Sequence, residues 1–190
     1  MAGTAQSTTR MGLEAFLRLP DEKPYLEYVD EMVEAKVSPK IQHSVIQTEL
    51  ATSLNAFARP SRIGFALSEL RCTFAGRSVV PDVVLLLREH IPRDEHGRPS
   101  GNQNRAPDLT VEIVSEGQPP GRPGERLAFA VANGCALGWL IDPDRRTIDV
   151  YRPDAGPVRL ADDGVLEGEP VLPGYRLAAS EVFGWLDLAI

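Results

Sequence analysis

The chain has 190 residues, a length typical of one domain, and 43% of them are hydrophobic, which is enough to build a core without disulfides. The formal net charge of −7 argues against a general nucleic-acid binder, although arginines at positions 71, 77 and 88 leave a local basic face open. No signal peptide and no apolar run near the roughly 20 residues of a membrane helix is visible, so we expect a cytoplasmic protein without a membrane partner.

The first third of the chain predicts a tail, a hairpin and a helix. Residues 1–10 are small and polar and predict a flexible N-terminal tail, so that residues 11–190 form a single domain. A short helix is expected over 11–18, and alternating apolar residues over 25–37 predict two antiparallel strands that turn at Asp30 and Glu31. Ser38 and Pro39 predict the start of a helix, capped by Ser38, that ends near Pro60.

The remaining elements predict a mixed sheet. Strands are expected over 65–74, 79–87 and 108–115, with a loop over 91–106. A helix over 125–133 leads to a strand over 137–141, and a right-handed crossover of this kind makes strands 108–115 and 137–141 parallel neighbours. A meander after Thr147 and a short helix over 179–183 complete the chain. The fold class is therefore α/β (α+β), a mixed sheet flanked by helices, with an N-terminal hairpin and a C-terminal meander.

Two carboxylates interrupt strands that are otherwise apolar on both faces. Asp82 lies within 79–85 and Glu112 within 109–115. A buried carboxylate is costly unless it is paired or bound to a cation. If the two strands are neighbours, the carboxylates converge, and a divalent cation with oxygen ligands would relieve their repulsion. The spacing supports equally well a second interpretation, in which each carboxylate is bonded to backbone donors or to an arginine.

An ordered set of motifs over nearly the whole chain resembles the Uma-two (Uma2) family of restriction-endonuclease-type proteins, which belongs to the PD-(D/E)XK nuclease superfamily. The central motifs are Pro81-Asp82-Val83, Val111-Glu112-Ile113-Val114-Ser115, Ala132-Asn133-Gly134 and Gly138-Trp139-Leu140-Ile141-Asp142-Pro143. Outer motifs are Tyr25-Leu26-Glu27, Ser38-Pro39 with His43, Val150-Tyr151-Arg152-Pro153 and Leu172-Pro173-Gly174-Tyr175.

The resemblance implies a restriction-endonuclease-like fold and an endonuclease that hydrolyses phosphodiester bonds of DNA with Mg²⁺, or Mn²⁺ in its place. Asp82 and Glu112 match the two motif acids and would ligate the metal. Glu27 matches a recurrent family glutamate and is a candidate third acid, with a surface glutamate on an exposed hairpin as the alternative. For Glu69 we prefer the surface interpretation.

Several positions depart from the pattern of the superfamily. A lysine commonly lies two residues after the second acid, where this chain has Val114. The cation appears in the family on the following helix, at the position of Arg126, which is often lysine. Arginine cannot act as a base, but it can hold a phosphate oxygen or stabilise developing charge. Ala130 replaces a frequent aromatic residue, and Glu116 replaces a usual proline. These departures bear on turnover more than on the fold.

Three further interpretations remain open. His43 could contact substrate, but we prefer a capping or half-buried histidine. The missing lysine and the acidic net charge are compatible with a nuclease-fold protein that binds nucleic acid or a protein partner without cutting. A structural homodimer that uses the sheet edge after Thr147 is the third.

Overall fold

The computed structural model describes residues 9–115 and 120–188 and contains two main sheets. The first sheet is antiparallel and is built from β1 (Thr9–Arg10), β2 (Leu26–Val29), β3 (Met32–Ala35), β5 (Cys72–Phe74) and β6 (Arg77–Val79), in the order β1-β3-β2-β6-β5. The short helix α1 (Leu13–Phe16) packs on it through Phe16, which contacts Tyr28. Asp30 and Glu31 both adopt positive φ at the predicted hairpin turn.

The second sheet is mixed and carries most of the core. Its strands are β4 (Gly64–Ser68), β7 (Val83–Leu87), β8 (Leu109–Ile113), β9 (Leu137–Asp142), β10 (Thr147–Tyr151) and β11 (Val158–Leu160), in the order β11-β10-β9-β8-β7-β4. The pair β8–β9 is parallel, as the strand–helix–strand pattern predicted. The other neighbours are antiparallel. The mixed α/β fold class predicted from the sequence is confirmed.

Helices cover both faces of the second sheet. Helix α2 (Ile41–Ala58) buries Ile46, Leu50 and Leu54 against one face, in a core that includes the β7 and β8 residues Val83 and Val111. Helix α4 (Ala179–Gly184) adds Val182 and Phe183 to the same core. Helix α3 (Gly121–Ala132) covers the opposite face, where Ala130 and Val131 pack with Val84. Because side chains alternate along a strand, the face under α3 also receives Glu112.

Smaller elements close the structure. A 3₁₀ turn, η1 (Arg88–His90), follows β7, and a two-stranded sheet of β12 (Val165–Glu167) and β13 (Arg176–Ala178) precedes α4. Cys72 and Cys135 are buried thiols. Among the described residues, no helix combines the length and the apolar character that crossing a lipid bilayer requires.

Three boundaries of elements differ clearly from the prediction. Thr9 and Arg10, assigned to the tail, form β1, whereas residues 1–8 lie outside the described residues. Ser38 does not cap α2, because the helix begins only at Ile41 with Lys40 at its N-cap. Helix α3 begins at Gly121 rather than at residue 125.

The largest correction concerns the two strands predicted over 65–74 and 79–87. Each is split between the two sheets, into β4 and β5 and into β6 and β7. Glu69 takes a positive φ of 52° at the first break. At the second break Pro81 has no amide hydrogen to give to a ladder. The second break leaves Asp82 immediately before β7, at the junction between the sheets.

Candidate active site

The strand register brings Asp82 and Glu112 together. In the antiparallel ladder between β7 and β8, Val83 pairs with Val111 and Val84 with Thr110. Asp82 directly precedes Val83 and Glu112 directly follows Val111, so the two acids adjoin at this end of the ladder. The amide of Ile113 donates to Asp82 Oδ2 at 2.8 Å, which fixes the Asp82 carboxylate at the end of β8.

Asp82 is buried and surrounded by donors from three elements. Lys36 Nζ, just after β3, lies 2.8 Å from Asp82 Oδ1, and His43 Nε2, in the first turn of α2, lies 2.9 Å from Oδ2. Lys36 also donates to the Val80 carbonyl at 2.6 Å, and Gln47 Nε2 donates to the Asp82 carbonyl at 2.9 Å. Both oxygens of the carboxylate therefore have partners.

These partners determine the ionisation of Asp82. Burial by itself raises the pKa of the carboxyl, but the hydrogen bond from His43 and the Lys36 ammonium outweigh burial and lower this pKa to about 2. For Lys36, burial works against the charge, yet the carboxylates of Asp82 and Glu112 raise the pKa of the amine above its usual value. Asp82 and Lys36 are thus both charged near neutral pH.

Glu112 is in the opposite situation. Burial and, next in importance, the negative charge of Asp82 raise the pKa of its carboxyl to about 8, against the opposing effects of Arg126 and Lys36. The closest cation is Arg126, whose Nη1 lies 3.8 Å from Glu112 Oε2. Glu112 is therefore a buried carboxyl with a weak ion pair and an anionic neighbour, which is the arrangement that a bound divalent cation would stabilise.

Glu27 and Arg126 form the third side of the cluster. Glu27 is 1% exposed, so the alternative of a surface glutamate is wrong. Its Oε1 accepts from the Val80 amide at 2.8 Å, and Arg126 Nη2 lies 2.6 Å from its Oε2. Burial lowers the pKa of Arg126, but the charges of Glu112 and Glu27 outweigh it and raise that pKa. Arg126, on helix α3, thus contacts both Glu27 and Glu112. It is the residue that the family resemblance identified as the replacement for the lysine absent at position 114.

The side chains of this cluster could supply part of the coordination of a magnesium ion. Asp82 and Glu112 offer carboxylate oxygens, the ligand type that Mg²⁺ prefers. Within residues 9–115 and 120–188, no group of three or more His, Cys, Asp and Glu side chains is arranged to hold a metal. Mg²⁺ is commonly held by one or two carboxylates and completed by water or substrate phosphate, so the pair is sufficient. For Asp82 Oδ1 to bind the metal, the contact between this oxygen and Lys36 Nζ would have to break.

The sequence missed Lys36 and undervalued His43. The preference for a capping or half-buried histidine is wrong, because His43 is buried and contacts Asp82. The family spacing with Ser38 and Pro39 was the available signal for His43. For Lys36 the signal was weak: it is one of three lysines in a chain that otherwise uses arginine, and it directly follows the hairpin strand β3. Glu69, by contrast, directs its side chain to Lys23 at 3.7 Å, and its contact with the acid cluster is through the backbone, where its amide donates to the Asp82 carbonyl at 3.2 Å.

Val114, directly after β8, puts an apolar side chain at the position where the superfamily commonly has a lysine. Its side chain packs with Leu127 and Leu140 in a small apolar cluster. Lys36 instead brings an ammonium group to Asp82 from the first sheet. A depression of about 500 Å³ opens beside His43 and is lined by Pro39, Lys40, Ile41, Gln42, His43 and Val114.

Comparisons with known proteins identify the family of this chain. The sequence profile of the Uma2 family, described as "Putative restriction endonuclease", matches residues 13–180. This chain belongs to the Uma2 family. Its structure is similar to the crystal structure of a "putative nuclease belonging to DUF820" from Anabaena variabilis, with a TM-score of 0.89 and 34% sequence identity over 93% of this chain and 99% of that one. Among proteins with curated functions, no relative was found. The predicted family is confirmed, and these relatives support a nuclease.

Proposed function

We propose that this Uma2 chain is a metal-dependent endonuclease that hydrolyses phosphodiester bonds of DNA. Asp82 and Glu112 would hold Mg²⁺ or Mn²⁺. The observation that carries the proposal is the Glu112 carboxyl, which is buried at the same end of the β7–β8 ladder as Asp82, with Arg126 Nη1 at 3.8 Å. Burial and the charge of Asp82 raise the pKa of this carboxyl. A protein gains nothing in stability from two converging buried acids, and perturbed carboxyls of this kind cluster at functional sites.

A divalent cation at this pair supplies Lewis-acid chemistry, since it lowers the pKa of a bound water and neutralises charge on a phosphate. The protein's own groups do the positioning. Asp82 is held ionised and fixed in place by the Ile113 amide and His43. Gln47, one turn further along α2, binds the Asp82 carbonyl and holds the junction between the sheets against the helix.

Two cations at the cluster can bind a phosphate. Lys36 remains protonated and donates from the side of the first sheet, in place of the lysine that Val114 replaces. Arg126, with its side chain 25% exposed, can turn part of its guanidinium toward a phosphate oxygen while it retains Glu27. Neither group acts as the base, because both hold their protons. Their contribution is to stabilise negative charge as it develops in the transition state.

A specific observation favours a second function, a nuclease-fold protein that binds nucleic acid without cutting. Both oxygens of Asp82 are already bonded, to Lys36 on one side and to His43 and the Ile113 amide on the other. In this alternative the ion pair with Lys36 replaces the metal permanently. The two functions differ in whether Asp82 is needed for catalysis.

A cleavage assay separates them. Supercoiled plasmid, linear duplex and RNA are incubated with the protein and increasing Mg²⁺ or Mn²⁺, and wild type is compared with Asp82→Asn. Asp108→Asn is the matched control, because Asp108 is another buried aspartate, bonded to His90 and the Leu87 amide at the far end of β8. We expect metal-dependent cleavage of DNA that falls at least about 100-fold in Asp82→Asn and remains in Asp108→Asn. Binding without metal-dependent cleavage of any substrate would favour the second function.

A further inference from the structure

Four arginines line one pocket at the opposite end of β7 from the acids. They are Arg59, Arg62, Arg88 and Arg93, and the pocket has a volume of about 280 Å³. Its other lining residues are Gly64, Phe65, Ile91, Gly97 and Pro99, so no carboxylate lines it. Four arginines around one pocket concentrate positive charge on a chain whose net charge is −7.

Most other arginines of the described residues are paired with a carboxylate, whereas these four are not. Arg71 and Arg77, which the sequence suggested as part of a basic face, are paired with Asp21 and Asp30. Among the described residues, no carboxylate lies within ion-pair distance of the four pocket arginines, and the side-chain bond of Arg93 goes to the Arg88 carbonyl at 2.8 Å. The described carboxylates therefore form no ion pairs with these four arginines, and an anion bound in the pocket would be attracted by their positive charge.

The pocket is built on ordered elements rather than on a loose tail. Arg59 is the C-cap of α2 and lies 5.5 Å from the centre of the Phe65 ring. Arg62 follows in a turn in which its amide donates to the Arg59 carbonyl at 3.0 Å. The Arg88 amide donates to the Ile63 carbonyl at 2.8 Å, which joins the end of β7 to the residue before β4. The backbone of Arg59, Arg62 and Arg88 is thus held at the end of one helix and at the ends of two paired strands, and the Arg93 side chain is bonded to the Arg88 carbonyl.

Guanidinium groups bind phosphate and carboxylate oxygens in a bidentate geometry, and of the two anions phosphate is the one that the proposed substrate carries. Asp82 directly precedes β7 and Arg88 directly follows it. At about 3.3 Å per residue, the pocket lies about 20 Å from the acids along the strand. A duplex rises about 3.4 Å per base pair, so this distance corresponds to about six base pairs.

We propose that the pocket of Arg59, Arg62, Arg88 and Arg93 is a second nucleic-acid contact, which binds backbone phosphate of a duplex remote from the acid cluster. This inference rests on the proposed function for its ligand, but it concerns binding and not cleavage. It gives an acidic protein a localised basic surface with which to hold DNA. Contacts of this kind position the duplex and carry no sequence information.

The test measures binding of a fluorescently labelled 20-base-pair duplex by anisotropy, without divalent metal, over a series of salt concentrations. The variant R62Q/R88Q is compared with R105Q/R152Q. Arg105 and Arg152 lie outside the pocket. Because both double variants replace two arginines by glutamine, they change the net charge by the same amount. We expect R62Q/R88Q to weaken binding at least tenfold at low salt and to reduce the slope of log K against log salt by about 2. The control should change affinity less than threefold.

Three results would overturn the proposal. One is equal loss in the two double variants, which would mean that only net charge matters. Another is displacement of the duplex by inorganic phosphate at constant ionic strength, which would indicate a site for the free anion. The third is displacement by polyglutamate as effective as by unlabelled duplex, which would indicate an acidic protein partner. A loss of binding confined to R62Q/R88Q supports the phosphate contact even if the wild type cleaves no substrate. Failure of the proposed cleavage activity can therefore be told apart from failure of this inference.

Discussion

Replacing Glu112 by glutamine should stabilise the metal-free protein at alkaline pH. The unfolded chain loses the Glu112 proton near its ordinary pKa of 4.5, whereas the folded protein keeps the proton up to about pH 8. Between these values the folded state binds a proton that the unfolded state does not, so stability falls as the pH rises. Glutamine resembles the protonated acid and carries no such penalty.

The structure gives the size of this effect. Each unit of pKa difference corresponds to about 1.4 kcal/mol, so Glu112 lowers the unfolding free energy at pH 9 by about 3 to 5 kcal/mol relative to pH 4. Asp82 acts in the opposite direction and in another range. Its pKa is lowered from 3.8 to about 2, so its stabilising contribution is present above pH 4 and is lost as the pH falls toward 2. The two carboxyls can therefore be examined separately.

Urea denaturation in EDTA at several pH values from 5 to 9 measures the effect. Wild type and Glu112→Gln should have similar stability at pH 5 and diverge steadily above it, with the variant more stable at pH 9. Glu49→Gln, at an exposed position of α2, is the control and should follow wild type throughout. Parallel profiles of wild type and Glu112→Gln would refute the reasoning, because they would mean that Glu112 ionises normally in the folded protein.

Two other predictions concern the cations of the site. Lys36→Met should reduce cleavage about 100-fold or more. Because Asp82 loses an ion pair in this variant, acid should unfold the protein at a higher pH than it unfolds the wild type. Lys36→Arg should restore the midpoint of acid unfolding. Unchanged acid unfolding in Lys36→Met would show that the Lys36–Asp82 contact is unimportant. Arg126→Ala leaves Glu27 and Glu112 buried without their cation and should destabilise the protein by about 3 kcal/mol in urea denaturation, whereas Arg126→Lys should lose less than half of that. A loss below about 1 kcal/mol in Arg126→Ala would contradict the proposed burial of this cluster.

Much of the fold follows from local patterns in the sequence. The hairpin around Asp30, the apolar repeat of α2 and the parallel pair β8–β9 depend on periodicity and on turn residues, which act over short separations. The splitting of the predicted strands at Glu69 and Pro81 does not follow, because an apolar strand pattern does not specify which of two sheets the strand joins.

The site is predictable where the residues are acidic and buried, and less so elsewhere. Asp82 and Glu112 interrupt apolar strands, which is visible in the sequence, and the family resemblance adds Arg126 and Glu27 as candidate site residues. Lys36 interrupts no apolar strand and matches no motif. Its position depends on the hairpin that places the end of β3 beside Val80 and Asp82, a contact between distant parts of the chain.

The central claim is that Asp82 and Glu112 form a metal pair, and direct measurement of Mn²⁺ and Mg²⁺ binding by calorimetry tests it. We expect one saturable site per chain in wild type and in the Asp108→Asn control, weakened at least about tenfold in both Asp82→Asn and Glu112→Gln. Equal metal affinity in wild type and these two variants, or no binding at all to the wild type, would contradict the account.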